Sequence, residues 1–279
     1  MEIRFNQGSE FDWYEATLPV GERSVLAVLE RADARELKQI TPKLGYEVAY
    51  RGLDEAGERV WDLLYGGNSG KPHVIASGSH AQRVAEILRE DLPDHHVTRV
   101  DVAIDRAEPG LFDRLLPEFL DISKRAGMRA PCAGEWHSAE TARTIYMGAP
   151  SSRVRVRMYE KEAEVRAKYS ITIPDLEIPA GWVRFEAQLR PTSPTARAVL
   201  AKATPELLWG ASPAMRALIA QINGMEPPRL SLNPKKVPST AVSAIRHMVK
   251  QYGKAMRRFE VSEGRAGLLD FISRELDRA

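Results

Sequence analysis

Residues 153–161 constrain the fold of this chain more than any other segment. They read R-V-R-V-R-M-Y-E-K, so that Val154, Val156 and Met158 alternate with arginines and with Tyr159. An alternation of period two predicts a β-strand whose two faces carry these two sets of side chains. One face is suited to packing on a core. The other is a row of guanidinium groups that matches the oxygens of a phosphodiester; the alternative is an ordinary solvated strand face.

Two other segments alternate in the same way. Residues 97–105 read V-T-R-V-D-V-A-I-D and place Asp101 and Asp105 on one face of a strand. Residues 181–190 read G-W-V-R-F-E-A-Q-L-R and place Glu186 among arginines on one face. If the three strands are neighbours in one sheet, their polar sides form a single surface of carboxylates, arginines and a tyrosine.

Such a surface is suited to phosphoryl chemistry. Carboxylates bind hard cations such as Mg²⁺ or Mn²⁺, which polarise a phosphoryl group. A tyrosine oxygen can attack phosphorus and hold the cleaved strand as a phosphotyrosine. Two simpler interpretations stay open: the carboxylates form salt bridges with neighbouring arginines, and Tyr146, in T-I-Y-M-G, is a rival nucleophile that we expect to pack beside the site.

The remaining pattern predicts an α+β fold. The chain has 279 residues, of which 43% are hydrophobic and 28% charged, enough for one large domain or for a domain with a smaller attachment. Helical spacing of apolar residues predicts helices at residues 22–40, 80–91 and 111–126, and strands are predicted between them. We therefore expect a largely antiparallel central sheet with helices packed on one face, a catalytic domain at residues 1–191 and a helical region at residues 192–279.

The helical region is basic in its middle. Between Pro227 and Arg258 there is no acidic residue. Four cations follow one face of a predicted helix beside an apolar seam, and these are Arg246, Lys250, Lys254 and Arg257. A basic amphipathic helix binds DNA or an acidic partner, or is simply solvated.

Composition excludes several other classes. No apolar run approaches the roughly 20 residues of a membrane span, and the N-terminal residues lack the apolar core of a signal peptide, so we expect a soluble cytoplasmic protein. The single cysteine, Cys132, rules out an internal disulfide. The formal net charge of +2 is too small to indicate nucleic-acid binding by itself. His95 and His96 are adjacent, which points them to opposite sides of a strand and disfavours a metal pair.

The segments T-R-V-D-V-A-I-D, R-T-I-Y-M-G, R-V-R-V-R-M-Y-E-K and W-V-R-F-E-A-Q-L-R resemble, in this order, the replication initiation factor (Rep_trans) family. The resemblance covers about residues 11–190, and R-x-Y-x-K is its most specific part. It implies a metal-dependent enzyme, with elements like those of HUH endonucleases and ferredoxin-like folds, that nicks an origin strand through a tyrosine. The products would be a 5′-phosphotyrosine and a free 3′ hydroxyl, and strands would later be rejoined.

The resemblance also implies roles for individual residues. Tyr159 matches the nucleophile, with Arg157 and Lys161 flanking it, and Asp101 or Asp105 together with Glu186 match the ligands of a divalent metal, Mg²⁺ or Mn²⁺. Contacts to DNA, as an origin hairpin or a single strand, are expected from the strand-borne Arg153, Arg155, Arg184 and Arg190 and from the basic helix. A host helicase is a candidate partner, and the oligomeric state, monomer or homodimer, stays open. The alternatives are a relaxase that transfers a mobile element and a non-catalytic DNA-binding regulator.

Overall fold

The computed structural model describes residues 5–67, 70–137, 142–169, 177–232 and 241–278. The chain divides into two compact units, Met1–Leu232 and Asn233–Ala279. None of the helices in these ranges combines the length and the apolar character needed to cross a membrane.

The first unit is built on a ten-stranded sheet in which each pair of neighbouring strands is antiparallel. In chain order its strands are β1 Glu10–Thr17, β2 Glu36–Gln39, β3 Tyr46–Leu53, β4 Arg59–Gly67, β5 His73–Ser77, β6 His96–Ala107, β7 Cys132–Ala133, β8 Thr144–Met147, β9 Val154–Glu160 and β10 Trp182–Leu189. Their spatial order is β2-β3-β4-β5-β1-β6-β10-β9-β8-β7. The centre of the sheet is therefore formed by β1, β6, β10 and β9.

Seven α-helices accompany the sheet in the described part of this unit: α1 Glu22–Leu29, α2 Ala81–Asp91, α3 Leu111–Arg125, α4 Lys161–Tyr169, α5 Pro194–Lys202, α6 Pro205–Leu208 and α7 Pro213–Asn223. Helices α2, α3, α5 and α6 contact the central strands directly, while α1 packs on α2 and α7 on α3. The core lies between these helices and one face of the sheet, where Val102, Val156 and Phe185 are fully buried. The predicted α+β architecture, with helices on one face of an antiparallel sheet, is confirmed.

The helix predicted at residues 22–40 is wrong in its second half. Helix α1 ends at Leu29, and residues Glu36–Gln39 form the edge strand β2 against β3. Apolar residues at Leu37 and Ile40 fit helical spacing, yet Leu37 is 49% exposed and Ile40 packs on a small cluster beside β3 and β4. Tertiary pairing with the sheet decides the structure of this segment.

The compact unit continues beyond residue 191. Leu200, Trp209 and Leu218, which lie on or next to α5, α6 and α7, belong to the same apolar core as the sheet. The Trp209 Nε1–H donates a hydrogen bond to the Ser9 hydroxyl at 3.0 Å. The first three helices after residue 191 thus pack with the sheet, whereas the functional boundary at that residue stays a prediction.

The second unit contains one bent helix, α8, Ala241–Asp277. Gly264 has φ 74° and ψ 166°, a conformation that interrupts the helix and favours glycine. The rings of Phe259 and Phe271 are 5.1 Å apart, whereas twelve residues of straight helix would separate them by about 18 Å. The chain therefore turns back on itself at Gly264.

The basic residues predicted for the C-terminal helix lie in the segment before Gly264. Arg246, Lys254 and Arg257 are exposed there, while the side chain of Lys250 lies outside the described residues.

Candidate functional site

Strands β6, β10 and β9 are neighbours, as their matching polar patterns predicted. Directly paired residues share one face of a sheet. Three rows of such residues cross the strands: Asp105, Arg184 and Tyr159; Ala103, Glu186 and Arg157; Asp101, Gln188 and Arg155. The residues predicted separately on three strands therefore lie on one surface, opposite the face that packs on the helices.

Glu186 is the centre of this surface. It accepts two hydrogen bonds from Arg157, from Nε at 2.6 Å and from Nη2 at 2.5 Å, and its Oε1 also accepts the Tyr159 hydroxyl at 3.0 Å. Burial, together with the nearby charge of Glu186, raises the pKa of Tyr159 well above its usual value. At neutral pH Tyr159 is therefore a phenol, and Glu186 is placed to accept its proton.

Asp105 forms the most enclosed ion pair of the surface. Arg184 donates to both of its carboxylate oxygens, at 2.7 and 2.8 Å, and the backbone N–H of Asn6 donates to Oδ2 at 3.1 Å. Asp105 is 1% exposed and Arg184 is 7% exposed. Both groups are committed to holding the strands in place, so the guanidinium of Arg184 does not lie open to DNA.

A fourth carboxylate, Asp12, is part of the cluster and was not predicted. The register of β1 against β6 shifts between Phe11 and Trp13, so that Asp12 is the extra residue of a β-bulge. Bulges redirect a side chain, and Asp12 accepts a hydrogen bond from Arg184 at 3.2 Å. Burial, with the charge of Glu186 acting in the same direction, raises the pKa of Asp12 from 3.8 to about 7.

Asp12→Asn is expected to stabilise the protein at alkaline pH. Because the pKa is higher in the folded than in the unfolded chain, the folded state binds the proton more tightly, and stability falls as pH rises from about 4 to about 7. Ionising Asp12 in the folded protein costs about 1.4 kcal/mol for each unit by which its pKa is raised. Because the side chain is 21% exposed, solvent reduces this cost, and we expect removal of the charge in Asp12→Asn to raise the free energy of unfolding by about 1–2 kcal/mol at pH 8. Urea unfolding in chelator should show this gain, and it should shrink towards pH 5. A gain in stability that is the same at pH 8 and pH 5 would contradict the assigned cause. The control is Asp121→Asn, which removes an exposed carboxylate that pairs with Arg125 one turn along the same helix.

Asp101 lies at the edge of a cavity. It is 5% exposed, it accepts hydrogen bonds from Arg99 at 2.9 and 2.5 Å, and burial is the main cause that raises its pKa. The cavity measures about 130 Å³ and is lined by Arg99, Asp101, Tyr146, Arg155, Val156, Arg157, Glu186 and Gln188. Asp101 and Glu186 therefore face the same small polar space.

Arg155 differs from the other arginines at this cavity. Its guanidinium lies 3.9 Å from the centre of the Tyr146 ring, and its buried Nε–H has no hydrogen-bond partner among the described residues. Arg99 and Arg157, in contrast, are each held by a carboxylate. Arg155 thus brings to the cavity a guanidinium that no carboxylate among the described residues holds, and Tyr146 packs beside the site by supporting Arg155.

Residues 95–264 match the model of the replication initiation factor family, Rep_trans. The chain belongs to this family. The match covers more than half of the chain and includes β6, β8, β9 and β10, which carry the predicted site, while β1–β5 precede it. The comparison with curated proteins gave no match.

A solved structure supports the same fold. The rolling circle replication initiator protein from Geobacillus stearothermophilus superposes on this chain with a TM-score of 0.50 and 21% sequence identity. The superposition covers 81% of this chain and 100% of the Geobacillus protein. The architecture of this Rep_trans chain is therefore shared with a replication initiator along that protein's whole length.

The carboxylates predicted to bind a metal ion form ion pairs with arginines. Among the described residues, no three His, Cys, Asp or Glu side chains form a group that could hold a metal ion. Each predicted carboxylate instead faces one guanidinium, in the pairs Asp101–Arg99, Asp105–Arg184 and Glu186–Arg157. Asp12 also pairs with Arg184, yet the oxygens of these carboxylates are donors of the kind that a hard cation requires.

The other predicted site residues lie at the ends of the strands. Lys161 is the first residue of α4; its Nζ lies 2.8 Å from Glu164 and 5.6 Å from the centre of the Tyr159 ring. Arg190 follows β10 and donates to the carbonyl of Pro150 at 2.6 Å, and Arg153 is exposed just before β9. Arg153 and Tyr159 are six residues apart on an extended strand, about 20 Å, so Arg153 lies outside the immediate site.

Proposed function

We propose that this chain is a rolling-circle replication initiator that nicks one DNA strand through Tyr159. The observation that carries the proposal is the hydrogen bond from the Tyr159 hydroxyl to Glu186 Oε1, on a strand face that also carries Arg155 and Arg157. Membership of the replication initiation factor family, and the fold shared with a rolling circle initiator, support it.

The proposed reaction is a transesterification. The Tyr159 oxygen attacks the phosphorus of the scissile phosphodiester while its proton passes to Glu186. The bond between phosphorus and the 3′ oxygen breaks, the 3′ oxygen takes up a proton, and the 5′ phosphate stays on the tyrosine. Attack by a 3′ hydroxyl on this phosphotyrosine reverses the step and rejoins the strands.

Arg157 prepares the nucleophile in this scheme. It holds Glu186 through both carboxylate oxygens, and its guanidinium lies 4.6 Å from the centre of the Tyr159 ring. This position fixes Glu186 against the Tyr159 hydroxyl, and it places a positive charge where the phosphate must approach.

A divalent cation, Mg²⁺ or Mn²⁺, is part of the proposal. Asp101 and Glu186 are the residues we expect to hold it, since both line the cavity and Asp105 does not. When bound, the ion would supply Lewis-acid polarisation of the phosphoryl oxygens. The charge of Glu186, which adds to burial in raising the pKa of Asp12, supports this assignment.

The proposal is tested by incubating the protein with supercoiled DNA of the replicon that encodes it, with Mn²⁺ or with chelator. A covalent protein–DNA adduct that forms only with the ion is the expected result. Protein that binds this DNA but never nicks it would support the non-catalytic regulator instead. The proposal places this activity in the cytoplasm, with a host helicase as the partner that opens the duplex.

We expect Arg155→Gln to have a larger effect on the free energy of DNA binding than on the free energy of unfolding. Because Arg155 has no ion-pair partner among the described residues, its charge is available to a backbone phosphate. Loss of one charged contact should lower affinity for single-stranded DNA about 5–20-fold and reduce the slope of log affinity against log salt by about 0.7. Fluorescence anisotropy across a salt series measures both quantities.

Arg114→Gln is the matched control for Arg155→Gln. Arg114 is an exposed arginine of α3, on the opposite side of the sheet, and it pairs only with Glu108 among the described groups. An Arg155 variant with unchanged affinity and an unchanged salt slope would remove Arg155 from the DNA-binding surface.

A further inference from the structure

The sheet face that carries Tyr159 continues beyond β6, β10 and β9 and includes charged residues on β3 and β4. Continuous pairing links Arg99 of β6 to Glu15 of β1, Ile75 of β5, Asp62 of β4 and Arg51 of β3. Directly paired residues share a face, so Arg51 and Asp62 lie on the same side of the sheet as Tyr159. Of these strands, β1, β3, β4 and β5 precede the residues that match the family model.

Three cations converge on Asp62 and form what we term the outer cationic cluster: Lys43, Arg51 and Arg59. Their nitrogens lie 3.0, 2.7 and 3.5 Å from the Asp62 carboxylate, which is fully buried. Although burial opposes it, hydrogen bonds from Arg51 and Lys43 lower the pKa of Asp62, so the carboxylate is charged. One negative charge compensates one of the three cations, and their side chains remain 40, 32 and 24% exposed.

Trp13 contacts both the outer cationic cluster and the polar surface of β6, β10 and β9 that carries Tyr159, which we term the catalytic surface. The guanidinium of Arg99 lies 4.2 Å from the centre of the Trp13 ring, and that of Arg59 lies 5.4 Å from it. Glu15, the nearest other acid, accepts hydrogen bonds from His73 at 2.9 Å and from Trp13 Nε1 at 3.2 Å. The Trp13 ring thus contacts one arginine that lines the cavity, Arg99, and one arginine of the outer cationic cluster, Arg59.

We propose that the outer cationic cluster binds the backbone of single-stranded DNA that leads into the catalytic surface, an inference that rests on the proposed function. From Glu186 on β10 to Asp62 on β4 there are four strand spacings, about 19 Å in all, which a few nucleotides of extended strand can span. Surplus guanidinium and ammonium groups recognise phosphates without reading bases. A single strand, unlike a duplex, is narrow and flexible enough to reach Tyr159, which is 5% exposed.

The test compares two oligothymidylates, one of about 6 and one of about 20 nucleotides, in anisotropy titrations with the full chain. The double variant Lys43→Gln, Arg59→Gln should bind the long strand about 10-fold more weakly, with a salt slope smaller by about 1.4, while the short strand is affected less than about twofold. Lys43→Gln alone, which leaves two arginines on Asp62, should show about half the change in slope if the double variant unfolds. Arg114→Gln is again the control.

Unchanged affinity for the long strand, or equal losses for both lengths, would overturn the inference. The result is separable from the proposed function, because adduct formation is measured independently. Absence of any adduct refutes nicking and leaves the length-dependent binding standing. Adduct formation without length dependence refutes only the role of the outer cationic cluster.

Discussion

Tyr159→Phe should abolish the covalent protein–DNA adduct and reduce nicking by a factor on the order of 10⁴ or more, because no other group takes over attack on phosphorus. The substitution removes one oxygen and leaves both hydrogen bonds from Arg157 to Glu186 in place. Its cost in folding stability should therefore be about 1 kcal/mol, the usual value of one hydrogen bond. Denaturing gels of the protein with labelled substrate strand, and thermal unfolding of both proteins, measure the two effects.

Tyr146→Phe is the matched control because it lies on the adjacent strand at the same surface. Tyr146 pairs with Arg157 across β8 and β9 and supports Arg155 through its ring, a contact that phenylalanine preserves. Adduct yield should therefore stay within about threefold of the unsubstituted protein. Adduct formation by Tyr159→Phe, or its loss in Tyr146→Phe alone, would assign the nucleophile to Tyr146.

Strict alternation is the reason that so much of the surface was predictable. Residues two positions apart on a strand lie on the same face, so the polar residues of β6, β9 and β10 could be assigned to one face of each strand. The matching polar patterns also implied that the three strands are neighbours. What alternation cannot reveal is an irregularity. Asp12 reaches the cluster because β1 carries a bulge there, and one extra residue in a strand leaves no signal in a short aromatic segment.

The outer cationic cluster was not predicted from the sequence, for a different reason. Lys43, Arg51 and Arg59 lie on different elements, and only the pairing of β3, β4 and β5 brings them onto the face that carries Tyr159. Their common carboxylate, Asp62, lies within the nearly continuous apolar run V-W-D-L-L and gives no hint of three partners. The same limit applies to residues 36–39, where the edge of the sheet overrides helical spacing.

Charge balance links the fold of the central strands to their chemistry. Each buried carboxylate on β6 and β10 is held by a guanidinium, and breaking such a pair leaves an uncompensated buried charge. Two residues depart from this balance: Arg155, whose buried Nε–H has no hydrogen-bond partner among the described residues, and Asp12, whose pKa is raised by burial and by the charge of Glu186. A phosphodiester carries the negative charge that would pair with Arg155, and a divalent cation carries the positive charge that would pair with Asp12.

Glu186→Gln should slow nicking about 10²–10⁴-fold, the usual contribution of a positioned proton acceptor. Glutamine is similar in shape and still accepts the hydrogen bond from Tyr159 through its amide oxygen, but it cannot take the proton. The pKa of Tyr159 is raised first by burial and then by the charge of Glu186, so the variant phenol must ionise to solvent with a pKa lower than in the unsubstituted protein. Single-turnover nicking rates between pH 6 and pH 9, with Mn²⁺ held saturating, measure this difference.

The pH profile separates proton transfer from a merely structural role for Glu186. Below the pKa of the phenol, the phenolate fraction rises tenfold with each pH unit, so the rate of Glu186→Gln should rise about tenfold per unit. The unsubstituted protein, in which Glu186 accepts the proton directly, should depend on pH much more weakly. Asp121→Asn, at an exposed carboxylate that pairs with Arg125 on α3, is the control and should keep the unsubstituted profile. A Glu186→Gln protein that is slow yet has the same profile as the unsubstituted one would show that Glu186 holds Arg157 and Tyr159 in place without accepting the proton.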